Sequence, residues 1–219
     1  MEIITKVLAY FVLLFAITIH EAAHGWAAHK LGDPTAYNLG RVTLNPIPHI
    51  DPIGTLILPI FMMITQIPFF GWAKPVPVNP MNLRNPRRDN LWISAAGPIS
   101  NFTAATGFFV LIRIVKAVNP QAFYTTAGLT GGPQPVQGLI LVLYLGMVIN
   151  TFLAVFNLIP IPPLDGSGVL MGFLSDQAAE KYDKIRPYGF FIIIGLLVIG
   201  FLDLIFGPIQ FIISMLINF

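Results

Sequence analysis

An apolar run from Val7 to Ile19 leads without interruption into His20-Glu21-Ala22-Ala23-His24. No other stretch limits the fold as tightly. The run reads as part of a membrane-spanning helix, and on a helix residues four apart share one face. His20 and His24 can each aim a ring nitrogen at a single ion, and Glu21, one step round, can reach a water beside it. Ionisable groups at membrane depth are costly and usually functional. The helix extends from about Ile3 to His29, where Gly32-Asp33-Pro34 stops it. At ~1.5 Å per residue, His20 lies ~21 Å beyond Lys6, in the far part of the span.

The remaining 190 or so residues keep this apolar character. Of 219 residues, 55% are hydrophobic and 10% charged, against roughly 25% charged in soluble domains, and mean hydropathy is +0.76. This composition predicts an integral, multi-pass membrane protein of a single domain, 1–219. A net charge of +2 gives no footprint for nucleic acid. With no cysteine, metal ligands must come from His, Asp and Glu, and all four histidines lie in the first quarter of the chain. Lys6 and the apolar run after it also have the look of a secretory leader, but cleavage near Ala27-Ala28 would discard the His-Glu-His set. The absence of a soluble domain favours a retained span.

Further segments follow. Pro52–Phe70 is apolar but interrupted by Pro59 and Pro68, which suits a short span or a re-entrant hairpin. Gly71–Asn90 is polar and proline-rich. Pro75 and Pro77 are two apart, so in an extended strand both missing N–H groups fall on one edge, and Lys74, Val76 and Val78 present theirs on the other. Leu91–Lys116, Gly138–Leu158 and Tyr188–Phe206 read as spans. Residues 167–187 suit an amphipathic helix, and 207–219 are apolar but too short for an ordinary span. The predicted fold class is a membrane all-α bundle of about four to six segments, with a re-entrant segment and a short β-hairpin or strand near the site.

A catalytic zinc commonly has three protein ligands and an open position. His29 is five residues beyond His24, about 140° round the helix, and faces elsewhere. Asp89 sits beside Arg87 and Arg88 as a solvated loop acid, and Asp203 suits an interfacial position. Asp165 follows a span, stiffened by Pro160, Pro162 and Pro163 and released by Gly166. It is the leading third ligand, with His49 the main rival and Asp33 and Asp51 left open by spacing alone.

Three motifs in order carry a resemblance. His20-Glu21-Ala22-Ala23-His24, Gly97-Pro98-Ile99-Ser100-Asn101 and Asn157…Pro160…Leu164-Asp165-Gly166 resemble those of the site-2 proteases, the intramembrane zinc metalloproteases. The likeness covers roughly residues 5–187, leaving 188–219 as C-terminal membrane segments. Arg41–Asn45 and Gly71–Val76 look typical of a compact prokaryotic branch, and the 117–137 loop has no room for a PDZ domain. The resemblance implies one Zn2+ per chain on His20, His24 and Asp165, with Glu21 as catalytic base. It also implies that Asn157 and Asn101 lie near the site as substrate or oxyanion contacts, and that 72–79 presents the substrate. Transmembrane proteins or peptides cut within the bilayer are the implied substrates.

These motifs must meet at one depth, so an even number of crossings separates His24 from Gly97 and 52–70 re-enters. Nine of the twelve Lys and Arg residues then lie on the active-site side and three opposite, which places the site toward the cytoplasm. A zinc transporter would carry polar groups through several spans, yet Phe108–Ile112 and Ile140–Leu145 are apolar. An inactive interaction module would not need Glu21.

Overall fold

The computed structural model describes residues 2–65, 71–121 and 135–218, and among these it is almost wholly helical. Helix α1 (Glu2–Lys30) has the predicted extent, and Gly32, with φ of 111°, ends it in a left-handed turn open to glycine. A one-turn helix, Thr35–Asn38, and a 3-10 turn, Ile47–His49, follow. Asp51 accepts the N–H groups of Ile53 and Gly54 and so caps the turn at Pro52–Ile57, which leads into α2 (Leu58–Thr65). Beyond an extended segment come α3 (Pro86–Val118), α4 (Pro135–Asn157), α5 (Asp165–Phe173) and α6 (Asp176–Asp183). Helices α7 (Gly189–Val198) and α8 (Phe201–Asn218) close the chain.

Helices α1, α3 and α4 are long and apolar enough to cross a membrane, and the α6–α7 stretch with α8 forms a fourth span if the bent pair counts as one. The protein is therefore a multi-pass membrane protein. The expected span Tyr188–Phe206 is broken instead, with a 65° bend between Val198 and Phe201. Gly200 at φ of 73° supplies the break, and the apolar tail becomes part of α8 rather than a separate piece.

Packing centres on α3, which lies between α1 and α4 and against α5. One end is sealed by Ala27, Ala28, Leu83 and Ile93, the other by Ile112, Leu143, Met147 and Ile213. Small residues on α1 let the connecting segments approach. A Cβ at Gly25 would stand 3.0 Å from Val42 and 3.4 Å from Val76.

The expected strand at 72–79 is not one: among the described residues no strand occurs. The segment is extended, but its edge is held by loops and side chains instead of a partner strand. Lys74 N–H donates to the His49 carbonyl at 3.0 Å, and the Lys74 carbonyl accepts from the Arg41 guanidinium at 2.6 Å. Asn79 N–H donates to Asp33 at 2.7 Å. Residues 66–70, the end of the expected re-entrant segment, lie outside the described residues. Near its start, Thr55 donates its hydroxyl proton to the carbonyl of Trp72, beyond the segment, at 2.9 Å.

Candidate metal centre and active site

Two turns of α1, one of α3 and the first residue of α5 build the centre. His20, His24 and Asp165 bring one ligand atom each to within 4.8 Å of one another. His20 Nε2 is 2.9 Å from Asp165 Oδ2, and His24 Nε2 is 3.4 Å from Oδ1. Both histidines are buried.

The other ring nitrogens decide what these atoms carry. His24 Nδ1 is 2.7 Å from the Ile93 carbonyl, which can only accept, so Nδ1 holds the proton. His20 Nδ1 faces Asn101 Oδ1 at 2.5 Å. The Asn101 amide is oriented by its own donors, Nδ2–H to the Ala16 carbonyl at 3.0 Å and to Asn150 Oδ1 at 2.8 Å. Its oxygen therefore points at His20, and His20 Nδ1 donates. In the neutral rings both Nε2 atoms are then bare lone pairs, and both face a carboxylate. Asp165 Oδ2 is buried with no hydrogen-bond partner among the described residues. Three acceptors converging without a proton repel one another unless a cation lies between them. The donor set, two neutral imidazoles and a carboxylate oriented from behind, fits a zinc site with an open position.

Gly97 makes the close approach possible. A Cβ there would stand 2.5 Å from His24 Nε2 and 2.6 Å from His20 Nε2. Pro98, buried inside α3, follows at once.

Glu21 points into a cavity of about 520 Å3 that His20, His24, Asp165 and the 71–78 segment also line. Its Oε2 accepts the Val76 N–H at 3.0 Å. The edge expected to be free for a peptide is thus engaged by the glutamate. Asn157 lines the cavity, but its Nδ2–H donates to the Leu153 carbonyl one turn back at 3.0 Å. Asn101 does not line it; it is fully buried behind His20 with its amide saturated.

The rival ligands are elsewhere. His49 is 1% exposed and turned away, its Nε2–H donating to the Thr43 carbonyl at 3.0 Å. Burial pushes its pKa down, and neighbouring Arg41 adds to this against the Thr43 bond and the charge of Glu21, so His49 is neutral at pH 7. His29 stacks on Tyr37. Asp89 accepts from Asn85 N–H at the start of α3, and Asp203 is exposed. Asp33 is a structural hub: fully buried, it accepts from Thr35, Asn79 and Asn82. Burial raises its pKa, but the donors Asn82, Thr35 and Asn79 outweigh this and hold the carboxyl below its usual range. Sequence reasoning did not single out Arg41 and Asp33 as the holders of the extended segment. The one signal was their position in a turn-rich loop of an otherwise apolar chain.

The chain is similar to known proteins. The model of peptidase family M50 matches residues 60–200. The chain is 35% identical over 188 residues to "Putative zinc metalloprotease YwhC" of Bacillus subtilis, covering 85% of this chain and 78% of that one. It is 28% identical over 187 residues to "Putative zinc metalloprotease Rip2" of Mycolicibacterium smegmatis, covering 84% and 64%. A match at 37% identity to "Putative zinc metalloprotease MJ0611" of Methanocaldococcus jannaschii covers 37% of this chain and 34% of that protein. No solved structure matches.

Proposed function

Because the chain belongs to peptidase family M50, we propose that this zinc metalloprotease cuts peptide bonds within or beside the transmembrane segments of other membrane proteins. The observation that carries the reading is the convergence of His20, His24 and Asp165 beside the Glu21 carboxylate, inside a membrane helix bundle.

His20, His24 and Asp165 would hold the ion. Asn101 and the Ile93 carbonyl hold the two rings in the tautomer that leaves Nε2 free. Bound there, zinc would supply Lewis acidity toward a water and a peptide carbonyl. Glu21 takes a proton from the attacking water as its oxygen adds to the carbonyl carbon. It returns that proton to the amine nitrogen as the C–N bond breaks. The Val76 N–H holds the Glu21 carboxylate on the cavity side until substrate arrives. A peptide unwound beside residues 72–78 aligns with that edge, and Asn157, released from Leu153, donates to the developing oxyanion.

The adjacency of Thr55 and Trp72 supports a re-entrant course for 52–70, and the charge count supports a cytoplasm-facing site. The test is cleavage of a model single-span substrate in vesicles by zinc-loaded protein. Glu21→Gln should retain one zinc per chain and lose at least ~100-fold in rate. Equal cleavage by the variant refutes the role of Glu21, and no cleavage by the zinc-loaded wild type refutes the activity.

A further inference from the structure

Asn90, Ser94 and Gly97 lie along one face of α3, spaced by four and three residues. Gly97 abuts the two imidazoles, and Asn90 and Ser94 line the same cavity as Glu21 and Asp165. Neither polar side chain has a hydrogen-bond partner among the described residues, and both are part-buried. Helix α5 crosses close by: a Cβ at Gly168 would stand 3.2 Å from Asn90 Nδ2.

A peptide entering this cavity needs main-chain partners. The extended 72–78 segment offers few, because Lys74 N–H is held by His49, Val76 N–H by Glu21, and Pro75 and Pro77 have none. A primary amide carries the same donor and acceptor as a peptide group. Seven helical steps lead from Asn90 to Gly97, a rise of ~10.5 Å. An extended peptide covers that distance in about three residues at ~3.3 Å each.

We propose that Asn90 is a substrate-binding residue whose amide hydrogen-bonds the substrate main chain about three residues from the scissile bond, toward the N-terminal end of α3. This rests on the peptidase reading above. Asn90 thereby sets how far the substrate must be unwound: the bond to be cut and the peptide group three residues away must both be out of helix.

The test uses full-length, zinc-loaded Glu21→Gln protein in phosphatidylcholine vesicles, with and without Asn90→Leu. The ligands are a fluorescent single-span peptide with a Gly-Pro pair in its apolar segment and a series of it N-methylated one position at a time. Asn90→Leu should weaken binding of the unmodified peptide about 5- to 30-fold, the worth of one or two neutral hydrogen bonds. N-methylation at one position should cost a similar factor in the Asn90-containing protein and nothing in the Leu variant, while other positions respond alike in both. Asn90→Gln, with the amide one methylene further out, should restore part of the affinity. Equal affinities of the two proteins for every peptide, absence of binding to both included, overturn the assignment. Failure of the wild type to cleave the same peptides, with this coupling present, instead overturns the peptidase reading alone.

Discussion

Replacing Gly97 with alanine puts one methyl group where the structure has room for none. The new Cβ would stand 2.5 Å from His24 Nε2 and 2.6 Å from His20 Nε2 and Cε1, against about 3.4 Å for ordinary contact, an overlap of about 0.8–0.9 Å. Neither ring can simply swing aside. His24 is tied through Nδ1 to Ile93 and His20 through Nδ1 to Asn101, so relief on the metal side breaks a buried hydrogen bond behind. Each such loss costs about 1–3 kcal/mol, and overpacking a tight core about 1–3 kcal/mol. Displacement of ligand nitrogens by nearly an ångström exceeds the roughly 0.5 Å tolerance of a working site. Gly97→Ala should therefore weaken zinc binding at least ~100-fold, about 2.7 kcal/mol, as measured by chelator competition in detergent. Proteolytic activity at limiting zinc should fall in parallel. Helical content should change little, because alanine favours the helix that glycine weakens. Wild-type zinc affinity in Gly97→Ala would refute the view that the α1–α3 approach, and not the histidines alone, sets the centre.

Three other expectations follow from separate contacts. Asn101→Leu keeps the volume but leaves the His20 Nδ1–H without an acceptor, so zinc affinity should fall 10- to 100-fold while the protein still folds; an unchanged chelator titration counts against the tautomer assignment. Val76→Pro removes the N–H that holds Glu21 and touches no residue of the His20, His24 and Asp165 set, so zinc binding should persist while cleavage of a single-span substrate drops severalfold or more. Asp33 has a depressed carboxyl pKa, so its contribution to stability is complete above the unfolded value of about 3.9 and is lost as pH falls through the folded value. Asp33→Asn should lower stability at neutral pH by about 1.5–3 kcal/mol, and its melting temperature should fall less than that of wild type on acidification below about pH 4.

Some of this was legible before any coordinates. The apolar runs located α1, α3 and α4, because a helix crossing lipid must satisfy its backbone internally over a length that composition reveals. The i, i+4 spacing placed His20 and His24 on one face. Other features were not legible. The alternation of Pro75 and Pro77 promised a strand edge, but an edge needs a partner, and the partners are single groups on Arg41, His49, Asp33 and Glu21, drawn from distant parts of the chain. Asn101 belonged to a motif that implied proximity to the site, yet only packing shows that it stands behind His20 and outside the cavity. The break at Gly200 carries no sequence signal, because a glycine inside an apolar run can equally stay helical.

The sequence by itself determined the medium, the helix lengths and the kind of donor atoms, since these depend on composition and short-range periodicity. The tertiary structure decided which side chain stands with His20 and His24. His49, Asp33, Asp51 and Asp165 all stood open by spacing, and the choice fell to Asp165 when α5 packed against α3 and the other three were consumed by loop hydrogen bonds. It also decided the proton positions on both rings, because a tautomer is set by the acceptor behind the ring. Those acceptors, Asn101 and the Ile93 carbonyl, arrive from α3, 81 and 69 residues further along the chain.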